Sequence, residues 1–148
     1  MNPDLLTLTQ WLSPAFPVGG FAYSHGLEQV IAAGEVADAA GLRAWLRVGL
    51  EEGAGAVGIA ARRLSLSAPQ VAAFYLHGFA SNLVSAAVRF VPLGQTEGQR
   101  VLQALHAPIT AIAARAAEAT LDDIGTAALG ADLAAMRHET MDVRIFKT

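Results

Sequence analysis

Residues 64–88, LSLSAPQVAAFYLHGFASNLVSAAV, contain no aspartate, glutamate, lysine or arginine. A helix of this length is long enough to span a bilayer. The run nevertheless includes a proline, a histidine, two amides and four serines, whose polar groups are costly to place in lipid. Ser67 followed by Pro69 is typical of a helix start, and we predict a helix from there to Phe90. Its polar content favours a helix buried in protein over a membrane span.

Helical periodicity, interrupted by prolines and glycines, continues along the rest of the chain. Further helices are predicted at about residues 3–12, 24–33, 39–52, 56–64, 95–120 and 131–140. Asn2, Ser24 and Asp38 are the expected N-caps of the first three. Gly34 should end the second, and Pro108 should kink the helix that begins near residue 95. Because no strand-like alternation is sustained, the sequence predicts an all-α, single-domain bundle of roughly six to eight helices over residues 1–148.

The composition narrows the functional classes. Hydrophobic residues make up 53% of the chain and charged residues only 16%, against about 25% charged in an average domain. We therefore expect apolar surface to be covered by a partner or a second copy. The net charge is −3 and there is no basic stripe, which argues against nucleic-acid binding. The absence of cysteine and of a secretory N-terminal pattern suits the cytoplasm.

Candidate chemistry concentrates in residues 13–28, SPAFPVGGFAYSHGLE. His25 and Glu28 are three residues apart, so on a helix they share one face and could supply two ligands to nickel or zinc. Ser24 beside His25 could suggest a hydrolase, but no nucleophile elbow is present and a helix cap is the simpler role. The other histidines, His77, His106 and His138, stand isolated in the sequence. A metal site and a surface for protein partners both remain open.

A second motif, GAGAVG at residues 53–58, matches the glycine spacing of dinucleotide-binding loops. That loop must follow a strand and be succeeded by an acidic residue about 20 positions later. Here it follows a predicted helix, and the region around Ala73 contains no acid. We interpret the glycines as a connection between helices.

Several long segments resemble the UreF family of urease accessory proteins. They are residues 13–28 with AAGEV at 32–36, FASNLVSAAVRFVPLGQTEGQ at 79–99, TLDDIG at 120–125 and GADLAAMRHETMDVRIFKT at 130–148. Family members carry a further segment between the third helix and the equivalent of AVGIAARRL at 56–64. The resemblance therefore implies a UreF-like all-α fold in which several family helices are missing near residues 53–56.

The resemblance also implies a function. UreF proteins resemble scaffolds rather than enzymes: they dimerise, bind the accessory protein UreD (also called UreH), and recruit the nickel-carrying GTPase UreG. The assembly delivers nickel to apo-urease, so nickel would be cargo and no resident cofactor is implied.

Matching positions carry the family's partner-binding roles onto this sequence. A polar surface associated with the GTPase side corresponds to Glu28, Arg89 and His138. The tail at residues 139–148 should become ordered on binding UreD/UreH, through Arg144, Ile145 and Phe146. In that state Arg144 is expected to approach Tyr23 of the first motif.

Overall fold

The described part of the protein is helical throughout. The computed structural model describes residues 2–13, 26–52, 63–120, 123 and 129–142, with side chains between 48 and 52 excepted. Its helices are α1 (Pro3–Trp11), α2 (Leu27–Ala32), α3 (Ala39–Glu52), α4 (Ala68–Ala87), α5 (Gln95–Ala104), α6 (His106–Glu118) and α7 (Leu129–His138). No strand occurs among these residues. The predicted all-α fold class is confirmed.

Helix α4, the uncharged segment, forms the centre of the bundle. It begins where the sequence predicted, because the Gln70 side chain accepts hydrogen bonds from the Ser67 backbone N–H and hydroxyl, both at 3.0 Å. Leu76, Ala80 and Leu83 lie on one face and are buried in the main core, where α4 contacts α2, α3, α5 and α6. Among the described helices, none is both long and apolar enough to cross a membrane.

Helix α3 matches its predicted bounds. The Asp38 carboxylate accepts a hydrogen bond from the Gly41 backbone N–H at 2.8 Å, as expected of an N-cap. Leu42 and Leu46, one turn apart, are fully buried in the main core. The predicted short helix at 56–64 falls almost wholly outside the described residues, as do the GAGAVG motif and the expected junction near residues 53–56.

The long helix predicted after residue 95 is two helices, and the break differs from the predicted position. We expected a kink at Pro108, but α5 ends at Ala104 and α6 begins at His106. A proline cannot donate to the carbonyl four residues earlier, and its ring clashes with it. That carbonyl belongs to Ala104, so the interruption falls there. Gly98 brings α5 close to α4, since a Cβ at this position would lie 2.7 Å from Cγ1 of Val88.

The first helix is held to the segment before α4. One oxygen of Asp4 accepts hydrogen bonds from the Ser65 N–H at 2.7 Å and from its hydroxyl at 2.5 Å. These two bonds hold the pKa of Asp4 below its usual value, and the bond from the Ser65 hydroxyl has the larger effect. Asn2 caps the helix as predicted, through a 3.0 Å bond from the Asp4 N–H to its side chain. Leu8 is fully buried beside Val71 of α4.

Candidate partner-binding site at the α2–α7 junction

Helix α2 begins later than predicted and is placed by a glycine. We expected Ser24 to cap a helix from about residue 24; the helix starts at Leu27, and its N-cap is Gly26 with φ of 82°. A Cβ on Gly26 would lie 2.8 Å from the backbone N of Ala135 and 2.9 Å from Cβ of Ala134. Glycine therefore meets two demands: a left-handed backbone and direct contact with α7. Gly34, with φ of 77°, ends this segment as predicted.

One buried polar pair joins the two helices. Oε2 of Glu28, in the first turn of α2, lies 2.8 Å from Nε2 of His138, the last residue of α7. Glu28 is 6% exposed and His138 is fully buried. A carboxylate removed from water needs a hydrogen-bond donor or an opposite charge, and the imidazole N–H supplies the donor. Beside the pair, Leu27 and Ala134 belong to the main core.

The structure brings together two of the residues assigned by resemblance. Glu28 and His138, 110 positions apart, are in contact, but both side chains lie inside the protein. The exposed surfaces of α2 and α7 around the pair are what a partner would meet first at this junction. Arg89 is exposed in the turn that follows α4. A direct partner contact by any of the three stays a prediction.

The remaining candidates fall outside the described residues: Tyr23, His25, Arg144, Ile145 and Phe146. The proposed ligand pair of His25 and Glu28 is thus only half described. Within the described ranges, no group of three or more histidine, cysteine, aspartate or glutamate side chains could hold a metal ion. The one described member of the pair, Glu28, instead contacts His138.

An exposed apolar face on α7 was missed in the sequence. Leu129, Leu133 and Met136 are 71%, 53% and 67% exposed. Their spacing of four and three residues puts them on one side of the helix, while Ala134 and His138 face the core. The spacing of these three residues shows that they share a helix face, but it does not show whether that face is buried or exposed. From the sequence alone, such a stripe is expected to face the core.

Two histidines considered isolated in the sequence lie side by side. The rings of His77 on α4 and His106 at the start of α6 have centroids 5.5 Å apart and planes tilted by 47°. His77 is partly buried, whereas His106 is exposed. Burial, and secondly the charge of His106, lower the pKa of His77. Only the packing of α4 on α6 creates the pair, which is why sequence separation concealed it.

Comparison with known proteins identifies the family. The UreF family model matches residues 54–106. The urease accessory protein UreF of Cereibacter sphaeroides (strain KD131 / KCTC 12085) is 46% identical over 210 residues, covering 100% of both chains. The protein of that name from Jannaschia sp. (strain CCS1) is 39% identical, covering 97% of this chain and 94% of its own.

A third relative, the urease accessory protein UreF of Bradyrhizobium sp. (strain BTAi1 / ATCC BAA-1182), is 34% identical and covers 99% of this chain and 93% of its own. The alignment with the Cereibacter protein runs over 210 residues, whereas this chain has 148, so part of that length has no counterpart here. Similarity of this extent reaches from one end of the chain to the other. The chain therefore belongs to the UreF family of urease accessory proteins.

Proposed function

We propose that this protein is a non-catalytic scaffold for urease maturation. In this role it assembles the complex that delivers nickel to apo-urease and recruits or gates the nickel-carrying GTPase UreG. It would act in the cytoplasm, as a homodimer within the complex, with nickel as cargo and no cofactor of its own. Family membership supports the general role. The observation that carries the finer proposal is the buried contact between Glu28 and His138.

That contact brings together the chain positions next to two candidate partner-binding segments. Tyr23 precedes Glu28 by five residues, and Arg144 follows His138 by six. An extended chain covers about 3.3–3.6 Å per residue, so spacers of five and six residues can span at most about 18–22 Å. Because Glu28 and His138 are only 2.8 Å apart, a tail that becomes ordered can reach the first motif. This supports the proposal that Arg144 approaches Tyr23 when UreD/UreH binds.

The surface of α7 supports protein binding at the same place. Leu129, Leu133 and Met136 expose apolar area on the helix that leads into the tail. Apolar side chains grouped on one face favour contact with another protein. A tail that folds on binding adds an aromatic and an arginine anchor, Phe146 and Arg144, of the types that dominate interface energetics. We therefore place the UreD/UreH contact on α7 and the tail together.

Co-purification tests this proposal. The full chain is co-expressed with tagged UreD/UreH and with UreG, and the material captured on the tag is quantified. Removing residues 139–148 should abolish capture of this chain, and Arg144→Ala should weaken recruitment of UreG. Arg115→Ala, at an exposed position near the end of α6, is the matched control and should leave both unchanged. Full capture after the truncation would overturn the assignment of the tail.

The alternative of a nickel-binding protein that uses His25 and Glu28 is not favoured by the structure. Oε2 of Glu28 is already engaged by His138, and the carboxylate is almost completely buried. A nickel ion bound to Oε2 would have to displace the imidazole that joins α2 to α7. We therefore treat nickel as cargo of the assembled complex.

A further inference from the structure

Outside the α2–α7 junction, the histidine pair of α4 and α6 is the one described cluster of metal-ligating side chains that the proposed function leaves unused. His77 comes from the middle of α4, and His106 is the first residue of α6. The ring centroids are 5.5 Å apart. One ring is partly buried and the other is exposed, so the pair lies at the edge of the helix–helix contact and is open to water.

The separation matches two imidazoles that share one metal ion. With a metal–nitrogen bond of about 2.0–2.1 Å, a ring centre about 1.1 Å behind the nitrogen and tetrahedral angles, two bound rings have centroids about 5.2 Å apart. The observed 5.5 Å differs from this by a few tenths of an ångström. The last side-chain torsion of histidine has a broad minimum, so turning the nitrogens toward a shared ion requires little energy.

The donor set selects the class of ion. Two neutral imidazoles suit late divalent transition metals such as Zn²⁺, Ni²⁺ and Cu²⁺, and suit Mg²⁺ or Ca²⁺ poorly. Since no third protein ligand joins the pair among the described residues, water would complete the coordination.

We propose that His77 and His106 form a surface site that binds one late divalent transition-metal ion per chain. The helices hold the two rings at chelating distance before the ion arrives, so little conformational entropy is lost on binding. Two protein ligands with water in the open positions make a site that exchanges its ion readily, unlike the closed four-ligand sites that stabilise folds. The site is separate from the Glu28–His138 pair and does not depend on the proposed scaffold role.

Metal titration of the full chain tests the site. Purified protein at pH 7.5 is titrated with Zn²⁺ alone and, in a separate experiment, with Ni²⁺ alone, and heat or competition with a chromophoric chelator reports affinity. The variants His77→Phe and His106→Phe keep an aromatic ring in each position and remove the ligand. Thr110→Ala, one turn after His106 on the exposed side of α6, is the matched control. Circular dichroism confirms that every variant is folded.

We expect one ion per chain in the wild type and the Thr110→Ala variant. Each phenylalanine variant should weaken binding by about tenfold or more, because even the loss of an outer-shell partner weakens metal sites by about 10–100-fold. Ring nitrogen resonances of both histidines should shift when Zn²⁺ is added. Affinity that is unchanged in both variants would overturn the proposal. So would a wild type that binds no ion, or binding that is lost in His25→Ala instead.

Discussion

Removing the imidazole of His138 is the sharpest test of the α2–α7 junction. The Glu28 carboxylate is 6% exposed, and His138→Ala removes the donor that lies 2.8 Å from it. Leaving a buried carboxylate without its partner costs about 3–5 kcal/mol, because the remaining charge stays out of water. Glu28→Gln is milder, since an amide oxygen can still accept from the imidazole, and we expect a loss of about 1 kcal/mol.

These losses are large relative to the stability of a domain, which is typically about 5–15 kcal/mol. In urea unfolding followed by circular dichroism, a slope of about 2 kcal/mol per molar converts 3–5 kcal/mol into a midpoint shift of about 1.5–2.5 M. The order of the variants is as informative as the size of the shifts. His138→Ala should unfold first, followed by Glu28→Gln and then the wild type.

An exposed ion pair of the same length provides the control. Arg100 and Glu97 are also 2.8 Å apart, but their side chains are 70% and 40% exposed. Glu97→Ala should cost less than about 1 kcal/mol, because water screens the pair and solvates the remaining arginine. If His138→Ala shifts the midpoint no further than Glu97→Ala does, the buried pair does not hold α2 to α7 and our reasoning fails.

Three further variants test other parts of the structure. Gly26→Ala should lower the free energy of unfolding in urea more than Gly34→Ala does. Both variants lose about 1–2 kcal/mol because the backbone is left-handed, but only Gly26→Ala places a Cβ against the backbone of Ala135. Equal losses of stability in the two variants would refute the close approach of Gly26 to α7. The pKa of Asp4 is lower in the folded state than in the unfolded state, so its carboxylate stabilises the fold above about pH 3.8, and this contribution is lost as the pH falls through the folded-state pKa. Asp4→Asn should therefore make the free energy of unfolding fall less steeply below about pH 3.8. A stability profile that is the same as that of the wild type between about pH 2 and 6 would contradict this. Leu133→Ser should reduce co-purification with UreD/UreH while changing stability by no more than about 0.5 kcal/mol, and full capture would remove α7 from the interface.

Local rules predicted the helices well wherever a side chain near the helix end decides the boundary. Asp38 caps α3 and Ser67 with Gln70 starts α4, and both helices begin where the sequence indicated. The prediction was less accurate where the cause lies further away. Proline cannot bond to the carbonyl four residues before it, so Pro108 ends the helix at Ala104.

Contacts between helices decide the features that local sequence rules could not predict. The start of α2 is fixed by Gly26 against α7, a contact between positions more than 100 residues apart, so the caps within the motif gave the wrong boundary. His138 was singled out by resemblance alone, and Glu28 by resemblance and by its spacing from His25. Their pairing, like that of His77 with His106, follows from helix packing and has no signature in the spacing of the sequence.

The position of α2 depends on its contacts with α7, and this dependence bears on the proposed partner binding. With the six residues Leu27–Ala32, α2 is too short to be stable alone. Its position comes from the core contacts of Leu27 and Val30, from Gly26 against α7 and from the Glu28–His138 bond. Coupling between sites is reciprocal. A partner that fixes the end of α7 by ordering the tail would therefore also favour the placement of α2, and so of the motif before it. Conversely, a variant that breaks the bond should separate tail binding from events at that motif even where the bundle stays folded.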